Sequence, residues 1–348
     1  MFTKVKVKEV RKETKDTVSI SFDLPSELKS EFNYESGQYV TIRKEINGED
    51  VRRSYSLCSS PAQDDFRIGV KLVENGKMSS FLTKEVAVGD ELELMTPTGN
   101  FVLGTAKNNV VAFAAGSGIT PVISMVRSVL NSGGKFILFY GNRTEQDVIF
   151  KNELDQLNTA YADKFDLNYI YSRENNGEDL YAGRITKDKC SLLIQKKSVS
   201  INADGFYMCG PEDMIFDVSD SLKELGIDEN KIHFELFTVP TKRADEKAVE
   251  SDFEGESQVT VIMDGDEFEF PLRNDGDFIL DASIENGADA PFSCKGAVCC
   301  TCKAQVIEGK ATMDMNYALS DEEVEEGFIL TCQACPASSK LVVDYDVS

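Results

Sequence analysis

The sequence predicts a multidomain chain in which an antiparallel β-barrel is followed by a parallel α/β sheet and then by a small C-terminal domain. Short alternating strands fill the first hundred residues, apolar strands alternate with helical stretches from about residue 105, and the last hundred residues are acidic and rich in cysteine. With 348 residues, of which 41% are hydrophobic, the chain is long enough for two or three separate cores.

The first hundred residues are predicted to form the barrel. Strands are expected at KVKVKEVRK, TVSISFDL, QYVTIRKEI, RSYSLCSS, FRIGVKLV and DELELMTP. Turn residues separate these short segments at regular intervals. That spacing favours an antiparallel sheet that closes on itself.

The next segment alternates strands with helices. Strands are expected at NVVAFAAG, KFILFYGN, FDLNYIYS, GFYMCG and KIHFELF, and helices after Pro121, Asp147, Thr186 and Pro211. This alternation is typical of a parallel sheet. The uncharged run 109–126 is as long as a short membrane span, but the glycines, serine and proline in its middle indicate strand, turn and helix.

The C-terminal part begins after a charged segment, 238–257, which is predicted to be a linker because it has little apolar content. Beyond it, SQVTVIMDGDEFEFPL predicts a hairpin around Asp264 and Gly265. FILDASIENG predicts a helix, and LVVDYD predicts a last strand.

The charge of the chain excludes some classes of partner. The net charge of −23 argues against nucleic acid binding, which needs clustered lysine and arginine. Residues 251–348 carry 5 basic and 21 acidic side chains, an excess that favours solubility or long-range attraction of a basic partner. The N-terminus lacks the pattern of a signal peptide, so we expect a cytoplasmic protein with reduced or metal-bound cysteines and no membrane span.

A cysteine-rich loop is the most informative motif. Cys294, Cys299 and Cys302 follow C-x4-C-x2-C, and Cys332 follows thirty residues later. Four thiolates at this spacing match the ligands of a plant-type 2Fe-2S cluster. Zinc and disulfides remain weaker alternatives, because structural zinc sites usually show paired knuckles or histidines. A Rieske centre is excluded because it needs two histidines and the chain has only His233.

The other cysteines of the chain are predicted to pack rather than bind metal. Cys58, Cys190, Cys300 and Cys335 fall outside the ligand spacing. Cys300 lies between two ligands and is also a candidate for oxidation. Cys209, taken by itself, is expected to be a small buried residue in a turn between strand and helix.

Two motifs in the barrel favour a flavin nucleotide. RRSYS places Arg53, Tyr55 and Ser56 on one strand, where they offer a cation, a ring and a hydroxyl. GKMSSFL places Gly76 and Ser79 before a predicted helix, where free amides favour phosphate. Each motif alone is weak, since Tyr55 also suits a barrel strand and Ser79 also suits a helix N-cap.

A third motif opens the α/β segment. In AAGSGITP, Gly116 and Gly118 allow a tight turn between a strand and a helix, and the amides of such a turn bind pyrophosphate. The G-x-G pattern is weak alone, but it lies in the context that the motif requires.

The order of the motifs resembles that of the ferredoxin-NADP reductase superfamily with a C-terminal plant-type ferredoxin domain. The motifs that carry this resemblance are RRSYS, GKMSSFL, GSGITP, YGNRT, CGPEDM and the cysteine loop. AAGSGITP, YGNRT and LTCQ are most similar to the reductase components of phenylacetyl-CoA epoxidase. The resemblance covers the whole chain. It implies an FAD-binding β-barrel over 1–103, an NAD(P)-binding domain over 104–237, the linker 238–257 and a β-grasp 2Fe-2S domain over 258–348.

The resemblance also implies roles for single residues. The flavin group comprises Arg53, Tyr55, Ser56, Val70, Gly76, Met78 and Ser79. The dinucleotide group comprises Gly116, Gly118, Thr120, Pro121 and Gly210. The catalytic group comprises Ser56 near flavin N5, Cys209 near the nicotinamide and Glu235, which with Phe237 borders the flavin. The cluster ligands are Cys294, Cys299, Cys302 and Cys332.

The choice of nicotinamide depends on YSRENNGEDLY. This segment resembles the one in NADP-using reductases where Ser172 and Arg173 would contact the extra phosphate and Tyr181 would stack on adenine. Arg143 in YGNRT offers a second guanidinium, which suits a phosphate dianion. NADPH is therefore expected, with NADH as the alternative. In that alternative, both arginines are surface residues that make ordinary loop contacts.

The predicted function is an internal electron chain. NADPH would reduce FAD, FAD would reduce the 2Fe-2S cluster, and the electrons would pass to a partner oxygenase or carrier protein. The alternatives are a general ferredoxin or flavodoxin reductase (a diaphorase) and a non-enzymatic redox or iron sensor. One departure from the family is Cys300, at a position more often held by a small residue.

Overall fold

The computed structural model describes residues 2–104, 108–174, 177–200, 202–241 and 252–347. The chain divides into two compact units, Phe2–Glu235 and one that begins at Leu236. Most of the predicted linker, 242–251, lies outside the described residues.

The first part of Phe2–Glu235 is the predicted antiparallel barrel. Its elements are β1 (Thr3–Thr14), β2 (Thr17–Asp23), β3 (Tyr39–Ile46), β4 (Glu49–Ser56), β5 (Phe66–Lys71), α1 (Lys77–Lys84) and β6 (Glu91–Leu94). The strand order is β4-β3-β6-β1-β2-β5. A bridge between Leu57 and Ile68 joins the two edge strands and closes the sheet. Alternate side chains such as Ile20 and Ile42 fill its interior.

The second part of this unit is the predicted parallel α/β domain. Its elements are β7 (Asn109–Ala115), α2 (Ile119–Asn131), β8 (Lys135–Asn142), α3 (Lys151–Ala160), β9 (Phe165–Tyr171), α4 (Lys187–Lys196), β10 (Gly205–Cys209), α5 (Glu212–Glu224) and β11 (Ile232–Glu235). The strand order is β11-β10-β7-β8-β9, with all neighbours parallel. Because the strands are parallel, their carboxyl ends share one edge, which we call the carboxyl edge.

The helix starts follow local rules, with one correction. Thr186 caps α4 by accepting a hydrogen bond from the amide of Lys189. The helix that was predicted after Pro121 begins earlier, at Ile119. Proline lacks a backbone N–H, and the N–H groups of the first helical turn have no partner within the helix, so Pro121 fits there. The run 109–126 is strand, turn and helix as predicted, and no helix in the described parts of the chain is both long and apolar enough to cross a membrane.

Helix α2 packs directly against the barrel. The Ser124 hydroxyl, fully buried, donates to the Ser59 carbonyl at 2.5 Å. The Ser36 hydroxyl donates to the Ser124 carbonyl at 3.2 Å. A Cβ added to Gly69 of β5 would lie 2.5 Å from Thr120 Cγ2. Small residues therefore bring α2 and the carboxyl edge close to the barrel strands.

The unit that begins at Leu236 is a mixed sheet with a helix. Its elements are β12 (Glu256–Met263), β13 (Asp266–Arg273), α6 (Ile279–Glu285), β14 (Lys303–Glu308), β15 (Ala311–Met313), α7 (Asp321–Glu325), β16 (Phe328–Leu330), β17 (Ala334–Pro336) and β18 (Lys340–Asp344). The main sheet has the order β13-β12-β18-β14-β16, and β15 pairs with β17. This is the predicted β-grasp fold, with α6 contributing to the core of the sheet.

The predicted hairpin between β12 and β13 is confirmed. Asp264 and Gly265 form its turn with φ of 53° and 81°. The carboxylate of Asp346 accepts from both of their amides, at 2.7 and 2.9 Å. The turn is therefore tied to the segment that follows the last strand.

The substitution Ser124→Ala is expected to lower the free energy of unfolding by about 1–3 kcal/mol, because the buried Ser59 carbonyl loses its donor. Urea unfolding followed by circular dichroism measures the change. Ser132→Ala is the control, since Ser132 is an exposed residue just after α2 that bonds only to its own helix, at Val129. Equal effects of the two substitutions would contradict the prediction.

Candidate functional site

The turn between β7 and α2 lies at the carboxyl edge and depends on glycine at two positions. Gly116 has φ of 54°, in the left-handed region that favours glycine. A Cβ added to Gly118 would lie 2.0 Å from the Cys209 carbonyl oxygen. Thr120 donates to the Ser117 carbonyl at 3.0 Å, and Pro121 is buried in the first turn of α2. The backbone amides of this turn are the groups available to a phosphate.

Cys209 ends β10 directly beside this turn. Its side chain is fully buried. Burial raises the pKa of the Cys209 thiol well above its usual value, and the charge of Glu235 raises it further. Gly210 follows, and a Cβ there would lie 2.7 Å from Met214 Cε and 3.1 Å from Ala115. A neutral thiol is therefore held in a tightly packed part of the edge.

The predicted catalytic residues come together at this edge. Glu235 pairs with Cys209 in the register of β11 and β10. Ser56, buried at the end of β4, donates to Glu235 Oε2 at 3.4 Å. Burial raises the pKa of Glu235 to about 8, and the Ser56 hydroxyl offsets part of that shift. The group joins a neutral thiol, a hydroxyl and a carboxyl that can hold a proton near neutral pH.

The rest of the predicted flavin group lies on or beside β4 and β5. Arg53 is exposed and donates to the Arg52 carbonyl at 2.6 Å. Tyr55 is half-buried, and burial raises its pKa. Val70 is fully buried in the barrel core. Phe237 belongs to the other unit and is 43% exposed.

The GKMSSFL motif forms the start of α1. Gly76, not Ser79, occupies the N-cap position. Ser79 is buried, and its hydroxyl accepts from the Val73 amide at 3.2 Å, so it fixes the loop before the helix. Met78 is buried against the barrel core. The motif therefore supplies the first turn of a helix without a side-chain cap, which leaves its amides free for an anion.

The predicted phosphate contacts lie at the far side of the carboxyl edge. Arg143, Ser172 and Arg173 are exposed after β8 and β9. The Arg173 amide donates to the Arg143 carbonyl at 2.8 Å, which holds the two loops together. Tyr181 is half-buried, and the ammonium of Lys196 lies 5.2 Å from its ring. Lys196 was not predicted from the sequence, because it comes from the end of another helix.

The cysteine loop brings its sulfurs together in the second unit. Cys299 Sγ lies 3.1 Å from Cys294 Sγ, and Cys332 is hydrogen-bonded to both Cys294 and Cys302. Within the described residues, no three metal-binding side chains surround the position of a single ion. The sulfurs instead contact one another in series, from Cys299 through Cys294 and Cys332 to Cys302. The loop also suits thiolates, because the Gly296 amide donates to Cys294 Sγ at 3.3 Å.

These contacts shift the pKa values of the predicted ligands. Hydrogen bonds with Cys299 and Cys332 lower the pKa of Cys294, and backbone amides lower it further. Lys295 and Ala297 adopt left-handed φ of 51° and 59°, which turns the loop around the sulfurs. The four residues therefore fit a group that takes thiolate ligands.

The sequence analysis missed two residues that support the predicted ligands. The Thr331 hydroxyl donates to the Cys302 carbonyl at 2.9 Å, and the Tyr345 hydroxyl donates to Thr331 at 2.7 Å. The only sequence signal was that Thr331 precedes Cys332. Among the remaining cysteines, Cys300 is buried and its thiol donates to the Ala318 carbonyl at 3.5 Å.

Comparison with protein families divides the chain into three domains. Residues 4–103 match the oxidoreductase FAD-binding domain. Residues 113–220 match the oxidoreductase NAD-binding domain. Residues 261–337 match the 2Fe-2S iron-sulfur cluster binding domain. FAD, a nicotinamide dinucleotide and a 2Fe-2S cluster are thus the cofactors of these domains.

Characterised relatives span the whole chain. One of the subunits of 1,2-phenylacetyl-CoA epoxidase from Escherichia coli K12 is 37% identical, over 99% of this chain and 98% of the relative. The ferredoxin reductase component of 3-ketosteroid-9-alpha-monooxygenase from Rhodococcus rhodochrous is 33% identical, over 97% of this chain and 95% of the relative. All three domains are therefore aligned together.

Solved structures show the same arrangement of elements. Phthalate dioxygenase reductase aligns with a TM-score of 0.61 and 25% identity, over 99% of this chain and 98% of that one. An intact type IV self-sufficient cytochrome P450 monooxygenase aligns with a TM-score of 0.71 and 22% identity, over 98% of this chain and 41% of that one. The second likeness concerns the fold alone.

The raised pKa of Glu235 predicts a pH-dependent cost to stability. The folded carboxyl keeps its proton up to about pH 8, whereas the unfolded one releases it near 4.5. Between these values the folded state binds more protons, so stability falls as the pH rises. Relative to the wild type, Glu235→Gln is expected to gain stability from about pH 5 to about pH 8, measured by urea unfolding at both pH values.

The exposed Glu85 supplies the control substitution, Glu85→Gln. The difference in unfolding free energy between Glu85→Gln and the wild type should be the same at about pH 5 and about pH 8. If the difference for Glu235→Gln is also the same at both pH values, the Glu235 carboxyl does not have the raised pKa.

Proposed function

Because the chain belongs to the ferredoxin-reductase-type oxidoreductases that join FAD-binding, NAD-binding and 2Fe-2S domains, we propose that it is the reductase component that delivers electrons to a partner oxygenase. The observation that carries the proposal is the union of these domains in one chain with four converging cysteine sulfurs. A bound flavin would take a hydride as an electron pair and release single electrons to a cluster, which is the chemistry that such a union requires.

Three residues are assigned roles at the carboxyl edge in this proposal. Ser56 donates a hydrogen bond to Glu235 Oε2 from a fixed position at the end of β4, and the carboxyl group of Glu235 holds or releases a proton. The neutral thiol of Cys209 packs beside the dinucleotide turn and keeps water and charge out. The residues thus orient the reacting groups in a poorly hydrated part of the protein.

NADPH is the proposed electron source. Arg143 and Arg173 present two exposed guanidinium groups on neighbouring loops, and Ser172 adds a hydroxyl. Paired guanidinium groups bind a phosphate dianion better than a neutral ribose hydroxyl. A cytoplasmic location is part of the proposal, because thiolate ligands stay reduced there.

The proposed partner is an oxygenase of the phenylacetyl-CoA epoxidase type. Support comes from the aligned component of that enzyme, which matches nearly the whole chain. Other aligned relatives are reductase components of 3-ketosteroid and glycine betaine monooxygenases. All of these relatives are named as components of oxygenases, but the oxygenases act on different substrates.

Arg173→Ala is expected to raise the Kd for NADPH by about tenfold to a hundredfold, because a charge-assisted contact with the phosphate is lost. The Kd for NADH should change by less than about twofold, because NADH lacks that phosphate. An anaerobic titration that follows flavin bleaching measures both.

Arg184→Ala is the control, because Arg184 is also exposed but lies outside the two loops. It should leave both affinities unchanged. If the wild type prefers NADH, or if Arg173→Ala weakens both dinucleotides equally, the assignment of NADPH is wrong.

Cys332→Ala is expected to abolish the paramagnetic signal of the reduced cluster and the transfer of electrons to the partner, because one of four thiolate ligands is lost. Bleaching of the flavin by NADPH should remain, since the flavin belongs to a separate domain. Electron paramagnetic resonance, iron content and turnover with a phenylacetyl-CoA epoxidase oxygenase component measure these effects.

Cys335→Ala removes a neighbouring thiol outside the ligand spacing and should preserve all three readouts. Free ferredoxin and flavodoxin, supplied in place of the oxygenase, test for a general reductase. A wild-type cluster that stays oxidised while the flavin bleaches would favour a sensor and overturn the proposal.

A further inference from the structure

Tyr140 connects the interior of the α/β domain to the dinucleotide turn. It lies in β8, and its side chain is fully buried. Its hydroxyl donates to the Gly116 carbonyl at 3.0 Å and accepts from the Ile149 amide at 3.3 Å. One buried hydroxyl therefore joins the turn after β7 to the segment before α3.

The bond to Gly116 determines how one peptide group is oriented. In a planar trans peptide, the carbonyl and the following N–H point in opposite directions. Because the Gly116 carbonyl faces the buried Tyr140, the Ser117 N–H of the same peptide faces away from it. An N–H that faces a phosphate attracts it, whereas a carbonyl oxygen in that place repels it.

Glycine alone does not hold this orientation. Gly116 has φ of 54°, but glycine reaches positive and negative φ with similar ease. The neighbouring Ser117 is half-buried and lies in a short helical turn of three residues, Gly116–Gly118. The Ile119 amide donates to the Gly116 carbonyl from within the turn. Tyr140 adds a second donor that comes from outside the turn, and this bond ties the carbonyl to β8.

We propose that Tyr140 is a positioning residue that fixes the Gly116–Ser117 peptide so that its amide, not its carbonyl, faces the pyrophosphate of the nicotinamide dinucleotide. This inference rests on the proposed function, since it concerns the affinity of the same site. Tyr140 acts through the turn and does not itself contact the ligand.

The surroundings of Tyr140 suit this role. Burial raises the pKa of its hydroxyl, and contacts with Ile149 and Asn142 offset only part of that shift, so the hydroxyl keeps the proton that it donates. Phe150, directly after Ile149, is buried with φ of 59°. It contacts the position where a Cβ on Gly69 would lie, at 3.4 Å. The Ile149 amide, which donates to the Tyr140 hydroxyl, thus belongs to a well-packed segment.

The test compares Tyr140→Phe with Tyr169→Phe in the flavin-loaded protein. Each substitution removes one tyrosine hydroxyl and keeps the ring. The Tyr169 hydroxyl donates to Asp155 Oδ1 at 2.8 Å, on α3, and takes no part in the turn. Tyr169→Phe therefore controls for the loss of a hydroxyl from the same core.

The Kd values for NADP+ and for 2′-AMP, which lacks the pyrophosphate, are measured by calorimetry. Tyr140→Phe should weaken NADP+ binding by about tenfold, and should change 2′-AMP binding by less than about twofold. Tyr169→Phe should leave both unchanged. In the kinetics of flavin reduction, Tyr140→Phe should raise KM more than it lowers kcat.

An unchanged NADP+ affinity, or equal weakening of both probes, would overturn the inference. A wild type that binds neither probe would instead overturn the NADPH assignment of the proposed function, so the two failures are distinguishable. If Tyr140→Phe does not fold, 3-fluorotyrosine in place of Tyr140 keeps the test open, since its more acidic hydroxyl is a stronger donor. Weaker NADP+ binding by that protein would contradict the inference, and equal or tighter binding would support it.

Discussion

The packing of α2 against the barrel determines where the site residues of the first unit lie. Gly69 of β5 allows Thr120 to approach closely, and the buried hydroxyl of Ser124 bonds to the Ser59 carbonyl. Because α2 follows the Gly116–Gly118 turn without a loop, fixing the helix also fixes the turn. The end of β4 and the carboxyl edge thereby meet, and Ser56 reaches Glu235 although 179 residues separate them.

Burial divides this edge into two chemical environments. Cys209 and Glu235 have raised pKa values because they are removed from water, so both are mostly neutral at neutral pH. The arginines at positions 143 and 173 are exposed and stay charged. Positive charge is therefore kept at the periphery, where the guanidinium groups remain hydrated. The interior part holds a hydroxyl, a thiol and a mostly protonated carboxyl, and so carries little uncompensated charge.

The sequence predicted those features that depend on local pattern or on fixed spacing. Period-two strands, the alternation of strands with helices, and the four cysteines follow such rules, and so does the turn at Asp264 and Gly265. It did not predict contacts made between distant segments. Ser79 was open to interpretation as an N-cap, but its partner is Val73 in the preceding loop. Tyr140 looked like any residue of an apolar strand until its hydroxyl met Gly116.

The cysteine loop illustrates why the spacing of ligands alone does not build a site. Lys295 and Ala297 adopt left-handed conformations that cost about 1–2 kcal/mol each for residues with a Cβ. Their neighbours offset part of this energy, because the Gly296 amide bonds to Cys294 and the Gln333 side chain donates to the Lys295 carbonyl.

Cys332, the fourth predicted ligand, needs a different support, because it lies thirty residues beyond Cys302. Thr331 bonds to the Cys302 carbonyl through both its amide and its hydroxyl, and Tyr345 holds that hydroxyl from the end of the chain. The predicted ligands are thus held by hydrogen bonds between three separate segments of the β-grasp fold. Since four thiolates would repel one another without metal, a bound cluster would stabilise the same arrangement that the fold prepares. Ligand geometry and folding of this unit would then be coupled.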